Sequence, residues 1–328
     1  MSAVVVKNNS VISSGCTSLN GRPHAEFNAL KYKKDFKNSD LYVTMEPCTH
    51  FGMTPPCTDI IAKKGIKRVY FSFNDTDKRT QNKSKKELSK KKIKVYKKST
   101  NDFHDFYQSY FSIHKYSTPY IDAKIATSKD YFTINKKSKW ITNYLSRNRA
   151  HLIRSEYEAI ISTSKSINRD NSLLNCRLKG FNNNKPDLII VDLNLRIKTK
   201  LNILNKINKR KIFIATTVLK GKKISYLKQR GIRIIPIKSL KRKNNFIHFF
   251  KILKNYSYNR ILIESGLIFL NELLKNRLIY NLYIFKSSIK LGKKGKNNTS
   301  NNIIKKLKLN KKIKVNLNGD NLYKVKIK

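Results

Sequence analysis

Short apolar runs alternate with polar, lysine-rich stretches along the whole chain, at the lengths of strands and short helices rather than of long helical spans. Val4–Val6 and Val11–Ile12 flank the turn residues Lys7-Asn8-Asn9-Ser10 and predict a hairpin. Pro23 to Leu30 reads as the start of a helix, Leu41 to Thr44 as a strand running into Glu46-Pro47-Cys48, and Thr58 to Lys64 as a helix stopped by Gly65. Arg68 to Phe73 is a further strand, and Asp77 to Lys92 reads as a basic, solvated helix. Strand and helix alternate, which predicts an α/β layer structure.

A second series begins after Tyr116-Ser117-Thr118-Pro119, so the expected domains are 1–117 and 118–328. Ile121 to Ala126, Ile160-Ile161, Leu188 to Val191, Lys211 to Ala215, Ile232 to Ile235, Ile261 to Glu264 and Leu282 to Phe285 read as sheet strands. Tyr144 to Ser155 reads as a helix, and a second helix follows Ser265-Gly266 as far as Leu274. The polar tract Lys293 to Asn302 reads as a mobile loop, and no internal repeat is visible.

Composition changes this picture in one respect. With 71 Lys and Arg against 20 Asp and Glu, the 328 residues carry a net charge of +51. Such a charge suggests a polyanion partner. The basic residues are spread evenly, however, and Lys is accompanied by Asn, Ile, Tyr and Phe while Gly (11) and Pro (7) are scarce. Drift toward A/T-rich codons produces that mixture without selection for nucleic acid, so no specific nucleic-acid partner is expected. Four cysteines in a chain this long do not form a disulfide framework. No secretory signal and no apolar run near the roughly 18 residues of a membrane span are evident. The expectation is a cytoplasmic protein that acts on small molecules, does not bind membranes, and can form a homo-oligomer.

The candidate chemistry sits early. His24-Ala25-Glu26 is followed by Pro47-Cys48 and then Cys57. One imidazole and two thiolates form a zinc donor set that leaves the fourth tetrahedral position open for water. Zinc lowers the pKa of such a water to near neutrality. Glu26, beside the first ligand, can relay protons without binding the metal. H-x-E followed by P-C and a second Cys is the pattern of zinc nucleobase deaminases, although two residues usually separate the cysteines and here there are eight. The alternative is a buried histidine with two structural cysteines. Cys16 and Cys176 read as incidental small apolar residues.

Taken together, these segments resemble the bifunctional deaminase/reductase family of bacterial riboflavin biosynthesis. The likeness rests on Pro23 to Glu26 and Thr44 to Cys57 in the first domain. In the second it rests on Lys124 to Asp130, Ser138 to Thr142, His151 to Arg177, Leu188 to Arg196, Ile263 to Gly266 and Lys290 to Gly292. The resemblance implies a cytidine-deaminase-like three-layer domain followed by a dihydrofolate-reductase-like α/β domain. It implies zinc on His24, Cys48 and Cys57, with Glu26 as the catalytic acid/base. The implied reactions are deamination of a diaminopyrimidinone ribosylamino 5′-phosphate and NADPH-dependent reduction of its ribosyl group to ribityl. By position, Ala126, Trp140, Ser166, Asp170 and the run Gly266, Leu267, Ile268, Phe269, Leu270, Asn271 and Glu272 are implied NADPH contacts. Ser138, Arg154, Leu174, Arg177 and Glu264 are implied substrate contacts. Without a G-x-G-x-x-G fingerprint, the residues alone indicate only an α/β domain.

Each assignment has a plainer counterpart. Trp140 could be core packing, Arg154 a helix-face cation, Asp170 a cap, Glu264 a strand-end partner of a lysine, and His50 a neighbour of the metal loop or an exposed turn residue. The chain also departs from the family pattern. The Asn-Pro-x-Val-Gly turn expected before the first strand is missing, so the deaminase domain is expected to be short at its N-terminus. Met53 stands where a basic residue is usual, and Tyr131, Asn171, Ser172 and Ser265 replace the usual residues of their motifs. Two further readings therefore stand beside the main one: a reductase with a weakened deaminase, and a basic deaminase acting on RNA.

Overall fold

A computed structural model describes residues 1–98, 104–180, 186–204 and 210–328. The chain divides into two compact units, Met1–Lys115 and Tyr116–Lys328. In the first, β1 (Ser2–Lys7) and β2 (Ser10–Cys16) form the hairpin, followed by α1 (Ala25–Leu30), β3 (Asp40–Met45), α2 (Cys57–Lys63), β4 (Arg68–Phe73), α3 (Ser84–Lys90), β5 (Lys94–Lys97) and α4 (His104–Lys115). The sheet order is β2-β1-β3-β4-β5. β1 is antiparallel to both neighbours, while β3, β4 and β5 run parallel. Val5, Leu41, Val43 and Val69 alternate onto the face that buries Ala25, Leu30, Ile61 and Leu88 from the helices. Gly15 lets β2 approach α1 backbone to backbone, since a Cβ there would lie 2.4 Å from the Ala29 nitrogen. That close approach sets the position of the helix that begins beside His24.

The expected helix Asp77 to Lys92 is shorter, spanning only Ser84–Lys90. The reason is Glu46. Its buried carboxylate accepts hydrogen bonds from the backbone N–H groups of Asp75, Asn82 and Ser84 and from the Ser84 hydroxyl, which winds the preceding residues into turns.

The second unit comprises β6 (Tyr120–Thr127), β7 (Ile134–Asn135), α5 (Tyr144–Ser155), β8 (Ala159–Thr163), α6 (Ser164–Asp170), β9 (Asp187–Val191), β10 (Ile212–Thr216), α7 (Lys222–Gln229), β11 (Arg233–Pro236), α8 (Lys243–Asn255), β12 (Arg260–Ile263), α9 (Leu267–Lys275), β13 (Asn281–Lys286), β14 (Gly295–Lys296) and β15 (Asn321–Lys326). Eight strands form one sheet in the order β11-β10-β9-β8-β12-β6-β13-β15. All neighbours are parallel except the antiparallel edge pair β13 and β15. Parallel strands covered on both faces read as continuous apolar runs. Ile212 to Ala215 is such a run, and two buried clusters occupy the opposite faces of the sheet.

The tract Lys293 to Asn302 is not the loose loop its polarity suggested. β14 pairs with β7. The Asn297 side-chain carbonyl accepts from the Thr133 N–H and hydroxyl, and Asn302 donates to the Tyr131 carbonyl. Its asparagines are therefore structural partners rather than solvated polar groups. No helix among the described residues is long and apolar enough to cross a membrane.

Candidate functional site

In the first unit the metal-ligand pattern converges. His24 is the residue before α1, Cys57 opens α2, and Cys48 lies on the loop that leaves β3. His24 Nδ1 is 3.5 Å from Cys48 Sγ and 3.4 Å from Cys57 Sγ, and the three donor atoms lie within 4.8 Å of one another. A tetrahedral zinc with usual bond lengths separates a nitrogen and a sulfur ligand by about 3.6 Å, so the donor set fits that ion. The Cys57 backbone N–H points at Cys48 Sγ at 3.2 Å. The interaction with Cys57, opposed by burial and helped by His24, lowers the Cys48 thiol to about 4. Cys57 moves the other way, held protonated by Cys48 and by burial. One sulfur is thus ready to bind a cation as thiolate, and a divalent charge between the two would draw off the second proton.

Glu26 lies in the first turn of α1 and is buried. Burial pushes its carboxyl up to about 7, and the charge on Cys48 adds to the effect. It has the character of a group that takes and returns protons near neutrality. His50, on the loop between the two cysteines, hydrogen-bonds the Thr80 hydroxyl through Nδ1 at 3.0 Å.

In the second unit the named residues gather at the C-terminal ends of the parallel strands, where open α/β sheets bind ligands. Ala126 is near the end of β6, Ser166 lies in the first turn of α6, Glu264 follows β12, and Gly266 is the residue before α9. The Gly266 N–H donates to Ser166 Oγ at 3.2 Å, and Thr163 caps α6 and donates to the same hydroxyl. The starts of α6 and α9 therefore lie side by side on adjacent strands. That pair fits a cofactor phosphate, because helix N-termini present unpaired backbone N–H groups. Within the run 266–272 the side chains serve other purposes. Leu267, Leu270 and Asn271 are buried, Phe269 packs on Phe246, and Glu272 pairs with Lys275. The backbone of the first turn and the exposed Ile268 are open to a ligand.

Arg154 is partly buried, its side chain 11% exposed, and its fork closes on Glu264, with Nε to Oε1 at 2.5 Å and Nη2 to Oε2 at 2.9 Å. Lys124, on β6, reaches the same carboxylate at 3.5 Å. Burial opposes the charge of Glu264, but Arg154 and then Lys124 override it and hold the carboxyl at about 2. For Lys124 burial wins, and its pKa falls. Arg177 Nη1 donates to the Asn175 side chain at 2.6 Å, and its Nη2 lies 3.2 Å from His151 Nε2. Leu174 is buried with a positive φ of 48°, and its carbonyl accepts from Arg210. Trp140 is half exposed, with the Arg147 guanidinium 4.6 Å from its ring centre, so it is not core packing. Ser138 accepts from the Trp140 N–H, and Asp170 is paired with Arg169. Ser138 and Trp140 are thus brought together, as are Arg154 with Glu264 and Ser166 with Gly266. Asp170 stands apart from these pairs in its contacts.

Reading the sequence did not single out Lys124, His151, Arg210 or Arg22. Lys124 carried a signal, being a basic residue between the apolar Ala123 and Ile125 on a central strand. The others carried none in so basic a chain.

Fold and site together define a zinc-type nucleobase deaminase domain joined to an α/β reductase domain. Comparison with known proteins agrees. The cytidine and deoxycytidylate deaminase zinc-binding region matches residues 1–73, and the RibD C-terminal domain matches residues 119–321. The riboflavin biosynthesis protein RibD of Aquifex aeolicus is 32% identical over 287 residues, covering 86% of this chain and 79% of that protein. Its counterpart in Buchnera aphidicola subsp. Baizongia pistaciae is 31% identical, with the same coverage of both chains. In fold, the chain matches the RibD structure of Acinetobacter baumannii with a TM-score of 0.81 at 24% identity, over 100% of this chain and 92% of that one. It also matches a Thermotoga maritima structure described as a diaminohydroxyphosphoribosylaminopyrimidine deaminase/5-amino-6-(5-phosphoribosylamino)uracil reductase, with a TM-score of 0.84 at 23% identity, over 100% and 91%. The chain belongs to the RibD family of bifunctional riboflavin-biosynthesis deaminase/reductases.

Proposed function

We propose that the first unit deaminates 2,5-diamino-6-(5-phosphoribosylamino)pyrimidin-4(3H)-one, and that the second reduces the ribosyl group of the resulting 5-amino-6-(5-phosphoribosylamino)uracil to ribityl with NADPH. The observation that carries the reading is the convergence of His24, Cys48 and Cys57 beside the buried Glu26. In this reading His24, Cys48 and Cys57 hold zinc, which when bound supplies a Lewis acid and a water that ionises near neutral pH. Glu26 takes a proton at its carboxylate and hands it to the departing ammonia.

In the reductase, Gly266 and the first turn of α9, with Ser166, Ala126, Trp140 and Asp170, are the NADPH contacts, and the cofactor supplies the hydride. Ser138, Leu174 and Arg177 contact the substrate. Glu264 and Arg154 contribute as an ion pair that keeps both charged. With Lys124 they form a hydrogen-bonding cluster, and in this reading the ribosyl group opens beside it. Thiolate ligands and a nicotinamide reductant suit a reducing, cytoplasmic setting with small-molecule partners, where a homo-oligomer is compatible with either site.

The test is a joint assay on purified chain. Bound zinc near one per chain is expected, with ammonia released from the diamino substrate and NADPH oxidised only once the deaminated product is present. Cys48→Ser should lose both zinc and ammonia release. Zinc content unchanged in that variant would exclude the ligand set, and NADPH oxidation in the absence of the deaminated product would exclude the second assignment.

A further inference from the structure

Arg22 lies in the segment between β2 and α1, two residues before His24, and its side chain crosses to the loop that carries the cysteine ligands. Its Nη1 donates to Thr54 Oγ1 at 2.5 Å. Gly52 lies under the other arm of the guanidinium: a Cβ there would sit 3.1 Å from Arg22 Nη2 and 3.8 Å from His50 Nε2. Having no side chain, Gly52 lets the loop pass close beneath the guanidinium and beside the His50 ring. Among the described residues Arg22 forms no ion pair with a carboxylate, whereas the nearby Arg79 is occupied by Asp77. The neighbouring Met53 is 91% exposed and carries no charge.

A guanidinium has five N–H donors in a planar fork, and here one is anchored by a hydroxyl while the fork remains uncompensated. This is the donor geometry that binds phosphate oxygens in pairs. We propose that Arg22, anchored by Thr54, recognises the 5′-phosphate monoester of the deaminase substrate and so sets the preference for the phosphorylated over the dephosphorylated compound. The inference rests on the deaminase reading above. Arg22 is a specificity-determining residue that binds the phosphate rather than the reacting carbon, and Thr54 is its positioning residue.

The experiment uses the full, zinc-loaded chain at physiological salt, so that the general positive charge is screened. Ammonia release is measured for the phosphorylated substrate and for the same compound treated with phosphatase. In Arg22→Gln the ratio of kcat/KM between the two should fall about tenfold or more, which is the scale of a charge-assisted pair. The loss should appear in KM for the phosphorylated compound. Arg22→Lys should recover part of the preference, and Thr54→Val should weaken it in the same direction. Zinc content is measured alongside.

A ratio that does not change overturns the proposal, as does an equal loss on both compounds with zinc retained. If the parent chain releases ammonia from neither compound, the deaminase reading itself fails. Calorimetric titration with ribose 5-phosphate then decides the role of Arg22. Weaker binding in Arg22→Gln than in the parent supports a phosphate subsite, and identical isotherms overturn it. Comparing the two chains cancels the contribution of any phosphate site in the reductase.

Discussion

Replacing Glu264 by Gln tests the central claim about the reductase unit, that one buried carboxylate compensates two partly buried cations. Glu264 is 8% exposed and accepts both arms of Arg154 as well as Lys124. Its carboxyl is held at about 2, some two units below the ordinary glutamate value of about 4.3. At about 1.36 kcal/mol per unit, the carboxylate contributes on the order of 3 kcal/mol in its charged form. Breaking a buried pair by removing one partner generally costs about 3–5 kcal/mol. The lower end applies here, because Lys124, with its pKa already depressed by burial, can shed its proton when the carboxylate is gone. Glu264→Gln should therefore destabilise the unit by about 3 kcal/mol, equivalent to about 6–12 °C in the melting of a domain of this size.

The pH dependence gives a sharper check. A depressed carboxyl pKa stabilises the fold fully above the unfolded value and loses that contribution as pH falls through the folded value. The gap between parent and Glu264→Gln should be constant above about pH 5 and close as the pH drops from about 4 toward 2. Urea denaturation of the full chain at neutral pH and near pH 3, followed by a probe of the second unit, measures both. Glu264→Gln combined with Lys124→Met should cost less than the sum of the single changes, because the double variant no longer has to desolvate or deprotonate Lys124 without its carboxylate. A loss below about 1 kcal/mol at neutral pH, or a gap that stays constant into acid, would refute the compensation argument.

Glu26→Gln should keep zinc, lower ammonia release by about two to four orders of magnitude and spare NADPH oxidation of the deaminated substrate; full deamination in that variant, checked by ammonia assay with elemental analysis, rules out the proton-relay role. Gly15→Ala should destabilise the first unit by about 1–3 kcal/mol and weaken zinc retention, because the new Cβ would lie 2.4 Å from the Ala29 nitrogen and 2.6 Å from the Ala25 carbonyl of the helix that follows His24. His151 is held down to about 4 by burial and by the charges of Arg154 and Arg177. A histidine with a lowered folded pKa loses stabilisation as pH falls from about 6.5 toward 4. Urea midpoints across that range should therefore fall more steeply for the parent than for His151→Gln, and equal slopes would remove the argument.

What could be read from the chain alone depended on whether the determinant was local. Strands such as Arg68 to Phe73 and the helix Tyr144 to Ser155 were legible to the residue, because apolar periodicity and flanking polar residues mark them within a short window. The metal-binding triad was legible because its chemistry resides in residue type and order. Where a distant partner decides conformation, the same reasoning failed. A helix-like run before Ser84 is unwound by the carboxylate of Glu46, 38 residues away. The asparagine-rich tract after Lys293 is ordered by Thr133 and Tyr131, which no local pattern reveals. The high lysine content hides a further class of residue, since one cation among 71 carries no signal until its partners are known. Arg154 reads as a helix-face charge but packs against Glu264, whereas Arg22 reaches the metal loop and forms no ion pair among the described residues. In so basic a chain, what distinguishes one arginine from another is the charge it faces, and that is a property of the fold.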